Sequence, residues 1–144
     1  MTDMQFVKFE QWHLYGIEIR HPEAEYIEVA KLTDEANIAL ATVMCGGLPV
    51  TVVGLAMIRP DVYEVFVIPT KNPPTKPIAY VKQMRSWLRW IVDTYKPARI
   101  QTAVLPDVYE SKWITTLGFT QETAVPMVNY GGFGHNYHMW AYKL

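Results

Sequence analysis

Only one stretch of this chain carries a sustained helical period, and it lies between segments that read as strands. Over Ile78–Tyr95 the apolar residues Val81, Met84, Leu88, Ile91 and Tyr95 recur at steps of three and four, which puts them on one face. Lys82, Arg85 and Arg89 fall on another face, Trp87 and Trp90 lie beside the stripe, and Lys96-Pro97 ends it. Ahead of this helix, Ile38–Cys45 and Val50–Ile58 are apolar runs joined by Gly46-Gly47-Leu48-Pro49, a hairpin signal. Arg59-Pro60-Asp61 marks a second turn, and Tyr63, Val65 and Val67 then alternate with Glu64, Phe66 and Ile68 as a third strand. Behind the helix, Arg99–Leu105 is strand-like again. A strand, a long helix and a strand form a crossover that lays two strands side by side in parallel. Joined to an antiparallel meander, that unit predicts an α/β fold of the α+β kind, built on one mixed sheet.

The remaining segments extend this frame. Asp107 is a good N-cap for a short helix to Leu117, with Gly118 at its exit. Phe119–Val125 reads as a strand. Met127–Asn129 and Asn136–Tyr142 flank Tyr130-Gly131-Gly132-Phe133-Gly134, which predicts a closing strand pair with a mobile glycine-rich tip. At the other end, Met4–Phe9 is a candidate first strand, and Pro22 followed by Glu23, Glu25 and Glu28 has the character of a helix start. No repeat or linker divides the chain, so a single domain over residues 1–144 is expected.

Composition removes several classes of function. The 144 residues are half hydrophobic with a net charge of −1, so the chain lacks the electrostatic footprint of a nucleic-acid or anionic-membrane binder. No apolar run is long enough to span a bilayer, and Met1–Met4 shows no basic cluster leading into an apolar stretch, so neither a membrane anchor nor a signal peptide is expected. The lone Cys45 cannot form an internal disulfide, which favours a reducing compartment such as the cytoplasm. Its apolar surroundings favour a buried structural thiol over a nucleophile. His13, His21, His135 and His138 have no metal-ligand spacing, and no metal is expected.

Over residues 37–144 the order and spacing of elements resemble the GNAT (Gcn5-related) N-acetyltransferase superfamily. The segment Asp107-Val108-Tyr109-Glu110-Ser111-Lys112-Trp113-Ile114-Thr115-Thr116-Leu117-Gly118-Phe119 is similar to the family's helix after the fifth strand, which ends in Leu-Gly-Phe. Val65-Phe66-Val67-Ile68-Pro69 resembles the fourth strand, whose backbone holds the pantetheine arm of acyl-CoA where the sheet splays. Met127-Val128-Asn129-Tyr130-Gly131 with Asn136-Tyr137-His138-Met139-Trp140-Ala141 is similar to the closing strands of small GNAT-like bacteriophage proteins.

The resemblance implies acetyl-CoA as cofactor and an amine, on a small molecule or a protein, as acceptor. It implies cofactor contacts from Val65, Val67 and Ile68, with a backbone N–H near Val67 at the developing oxyanion. It places the pyrophosphate loop at Asn72, Thr75 and Pro77, where the family has Arg or Gln, Gly, and Gly or Ala. Lys71 and Lys76 offer charge there in place of directed donors. Asp107 stands where the family has a cofactor-binding Asn, and Ile114 stands at the position of its general-acid tyrosine, with Tyr109 about one turn earlier as the substitute. Glu64 is the counterpart of a glutamate that acts as base through water.

Blander readings stand beside these. Glu64 also reads as a solvated strand residue, Tyr109 as packing, and the proline-rich stretch as a stiff connection. The missing glycines and tyrosine, with five tryptophans in the chain, also suit a second function: a GNAT fold without catalysis. Such a protein would serve as a bacteriophage virion component, or as a module that binds a host protein or itself through a surface including Trp87, Trp90, Trp113 and Trp140.

Overall fold

The computed structural model describes residues 4–17, 37–68, 77–106, 108–130 and 134–144. Within them, seven strands form one sheet: β1 (Met4–Lys8), β2 (Asn37–Cys45), β3 (Leu48–Arg59), β4 (Val62–Val67), β5 (Arg99–Val104), β6 (Phe119–Gln121) and β7 (His138–Tyr142). Their spatial order is β1-β2-β3-β4-β5-β7-β6, and every pairing is antiparallel except β4 with β5. Two helices accompany them, α1 (Pro77–Tyr95) and α2 (Val108–Thr116). The parallel pair lies where the crossover through α1 requires it. The expected mixed sheet is therefore present, with its meander at β2–β4.

Local chemistry sets the turns. Gly46 and Gly47 take φ of 61° and 81°, the left-handed pair that a two-residue hairpin needs to match strand twist. Pro77 opens α1 as its first residue, where the missing N–H costs nothing. Gly118 follows α2 with φ of 102°, and its amide bonds to the Thr115 carbonyl.

The core has two parts, one on each face of the sheet. On the helix side, Val43, Val53, Leu55, Val65 and Ile100 pack against Tyr80, Met84, Trp87, Leu88 and Ile91 of α1. The opposite face carries a smaller cluster of Val52, Ala56, Phe66 and Ile68, covered by Phe9, Leu14, Ile17 and Leu40. A 3-10 helix, Gln11–Gly16, provides part of that cover, and nothing in its sequence announced it. Its organising residue is the buried His13. The Glu10 amide donates to His13 Nδ1 at 3.0 Å, and Thr42 Oγ1 lies 2.7 Å from the same nitrogen.

Several expectations need correction. The buried stripe of α1 runs through Tyr80 and Trp87, while Val81 and Tyr95 are only partly covered. Trp87 and Trp140 are core residues, Trp113 packs edge-on against Tyr80, and of the four only Trp90 is largely exposed. The four tryptophans thus form no common surface. Cys45 ends β2 half-exposed rather than buried. Strand β6 stops at Gln121, because the Met139 amide takes the Thr123 hydroxyl at 3.0 Å in place of a backbone carbonyl. Met127 contributes a single bridge to Tyr137 rather than a strand. The helix start at Pro22 lies outside the described residues. No described helix is long and apolar enough to cross a membrane.

Candidate active site

The β4–β5 ladder is short. Its rungs are Val62 with Arg99, Tyr63 with Ile100 and Glu64 with Gln101. Beyond that, β4 runs on to Val67 paired only with β3, and β5 runs on to Val104 paired only with β7. The two neighbours part in the middle of the sheet. At the crotch of the fork, the buried Thr102 hydroxyl donates to the Val65 carbonyl at 2.7 Å and caps the first acceptor left without a ladder partner.

Strand alternation fixes what the fork presents. The Ile68 amide bonds to the Val52 carbonyl at 3.0 Å, and the Thr51 hydroxyl donates to the Ile68 carbonyl, so Ile68 commits its backbone to β3. Its side chain is fully buried. Successive residues in a strand direct their backbone groups to opposite sides, so Val65 and Val67 direct theirs towards β5. Of Val65, Val67 and Ile68, the three residues expected to hold the cofactor, Ile68 just beyond β4 is thereby turned away. With the Val65 carbonyl capped by Thr102, Val67 is the residue whose amide points across the open fork.

Replacing Thr102 with valine keeps the shape and removes the cap. The buried Val65 carbonyl then loses this donor, and urea denaturation is expected to show a loss of about 1–3 kcal/mol.

Glu64 occupies the last rung, on the face opposite α1. It is 3% exposed, so the solvated reading is incorrect. A buried carboxylate needs donors, and two converge on its Oε1: the Tyr130 hydroxyl at 3.1 Å and Gln101 Nε2 at 3.4 Å. Arg99 Nε in turn donates to Gln101 Oε1 at 2.8 Å, and the Arg99 guanidinium pairs with the Glu122 carboxylate. Hydrogen bonding to Arg99 lowers the Glu122 pKa below its ordinary value, and the same bond raises that of Arg99. The pair's contribution is therefore complete above the usual glutamate range and is lost as pH falls through the lowered value. Both side chains are about a third or more exposed, so that contribution is small.

Solved structures with the same architecture are numerous. A GNAT-family acetyltransferase from Bacillus anthracis superposes with a TM-score of 0.71 at 13% identity, over 96% of this chain and 93% of that one. A Bacillus subtilis acetyltransferase in complex with CoA gives 0.69 at 13% identity, over 100% and 99%. The ribosomal-protein-S5-alanine acetyltransferase from Vibrio fischeri gives 0.62 at 13%, over 97% and 91%. The fold is the GNAT fold. No family model matches the sequence, and no curated protein matches it significantly.

Within this GNAT fold, Ile114 packs against the main core, which accounts for an aliphatic residue at that position. Tyr109 belongs to α2, but its side chain is not among those described; Lys71, Asn72, Thr75, Lys76 and Asp107 lie outside the described residues. Glu64, Val65 and Val67 are brought together at the fork. Tyr130 escaped the sequence reading because it sits in a glycine-rich segment whose contact with Glu64 spans 66 positions. An open cavity of about 650 Å³ lies apart from this site, between α2 and β6–β7, lined by residues that include Lys112, Gln121 and His138 but none at the fork.

Proposed function

We propose that this chain is an N-acyltransferase that moves the acyl group of acetyl-CoA to an amine. The observation that carries the reading is the fork itself: a backbone amide aimed into a parting of the sheet, with a buried carboxylate on its last rung. The thioester, when bound, supplies an activated acyl carbon. Val67 donates its amide to the carbonyl oxygen as negative charge develops there. Glu64 takes the proton from the amine through a water, so that the nitrogen attacks with a free lone pair. The C–N bond forms, the C–S bond breaks, and the leaving sulfur takes a proton from Tyr109 or solvent.

The cofactor's diphosphate is assigned to the segment containing Lys71, Asn72, Thr75 and Lys76 and to the first turn of α1. That turn contains no acidic residue to neutralise the positive end of the helix dipole. Asp107 supplies no attraction for an anion.

Calorimetry tests the reading. Acetyl-CoA is expected to bind with a dissociation constant below the millimolar range, and a panel of primary amines is expected to include one that elicits free CoA thiol. No heat at millimolar acetyl-CoA overturns the proposal. Binding without thiol release for any amine supports instead a GNAT fold kept for binding alone.

A further inference from the structure

The buried carboxylate of Glu64 belongs to a longer polar string that the mechanism above does not use. Reading along the face opposite α1, the Glu122 carboxylate pairs with Arg99, Arg99 Nε donates to Gln101 Oε1, Gln101 Nε2 donates to Glu64 Oε1, and Tyr130 Oη donates to the same oxygen. The order has a consequence for Gln101. Its amide offers either an acceptor or a donor to Glu64, depending on which way it is turned. Because a guanidinium can only donate, Arg99 claims the Gln101 oxygen and leaves the nitrogen facing Glu64.

Tyr130 is held as firmly from the other side. The Met127 amide donates to the Tyr137 carbonyl at 2.6 Å and the Tyr137 amide returns to Met127 at 3.2 Å, which closes the base of the loop. Asn129 takes the left-handed φ of 53°, which asparagine tolerates better than most residues. Its amide donates to Asn136 Oδ1, and its own Oδ1 accepts from the Gly134 amide, both at 2.7 Å. The Tyr130 ring then packs edge-on against the buried Tyr137, with centroids 6.0 Å apart. These contacts tie down the segment and the ring of the half-exposed Tyr130, and a hydroxyl brought to a carboxylate from a distant part of the chain orients that carboxylate.

We propose that Tyr130 and Arg99 are positioning residues, Tyr130 directly and Arg99 through Gln101, which hold the Glu64 carboxylate in the orientation from which it takes the proton of the acceptor amine. This rests on the acyltransferase reading. It is tested by measuring CoA release for Tyr130→Phe and Arg99→Met, each alone and combined with Glu64→Gln. Tyr130→Phe keeps the ring and is expected to lower kcat about tenfold, the worth of one hydrogen bond to a charged group. Arg99→Met, one residue further away, is expected to lower it about threefold, with Arg99→Lys restoring part of the loss. KM for acetyl-CoA stays unchanged in all of them. Both effects vanish when Glu64 is already glutamine, because residues acting through one group are not additive. Undiminished losses in that background overturn the proposal, since a structural role would act independently of Glu64.

The contact has a readout that needs no turnover. In the unliganded protein, the ¹³C resonance of the Glu64 carboxyl carbon is expected to move in both Tyr130→Phe and Arg99→Met. An unmoved resonance in either overturns that residue's assignment whatever the kinetics. A resonance that moves in both variants, when the wild-type protein releases no CoA with any amine, removes the acyltransferase reading and the catalytic use of the string, while leaving the string itself in place.

Discussion

Exchanging Glu64 for glutamine is expected to lower kcat by roughly 100- to 10,000-fold, the range that a positioned general base supplies. The substitution conserves size, and the glutamine oxygen can still accept from the Tyr130 hydroxyl. What disappears is the capacity to take a proton. KM for acetyl-CoA is expected to stay within about twofold, because Glu64 faces away from the side of the sheet that carries the Val65 side chain. Steady-state kinetics at saturating acetyl-CoA separate the two parameters. A loss of less than about threefold, below the effect of general-base catalysis, would reduce Glu64 to a packing residue.

Alanine at Gly54 is expected to destabilise the fold by about 1–3 kcal/mol. Gly54 stands opposite Phe66 in the β3–β4 ladder, and the Phe66 ring lies across the space where a side chain would be. A methyl group there would come within 2.5 Å of Phe66 Cε1 and 2.8 Å of Cε2. In an open position, Gly→Ala gains about 0.4–1 kcal/mol by restricting the unfolded chain. Here Phe66 is buried and its ring has little room to retreat, so the clash outweighs that gain. Denaturation in urea should show a lowered midpoint, and Phe66→Leu in the same chain should recover part of it. An unchanged midpoint would mean that the ring moves freely. Phe66 shares its face with Glu64, so the displaced ring also disturbs the site.

The chain shows its sheet more openly than its site. The meander, the crossover helix and the parallel pair were all legible because hydrophobic period and glycine turns are local signals. Trp87 was misread as flanking the core because a stripe drawn through Val81 and Tyr95 is rotated from the face that is buried, and only contact with the sheet resolves that choice. Thr123 shortened β6 through a side-chain bond that no propensity anticipates. Glu64 was singled out, but its burial was not, because a strand glutamate is usually solvated and donors such as Gln101 and Tyr130, distant in sequence, make the buried position tenable. The fork was invisible as a local pattern. It is an absence of pairing between β4 and β5: the far half of β5 keeps β7 on its outer edge, while the edge that faces β4 carries no ladder beyond Gln101.

Everything assigned to the site depends on that fork receiving the thioester arm. The most direct measurement follows backbone amide resonances while acetyl-CoA is added. Saturable shifts are expected at Phe66, Val67, Ala103 and Val104, where the two strands part, with the distant β1–β2 pair unmoved. Shifts confined to Ser111, Thr115 and His138 around the separate cavity, or no shifts at millimolar acetyl-CoA, would contradict the account.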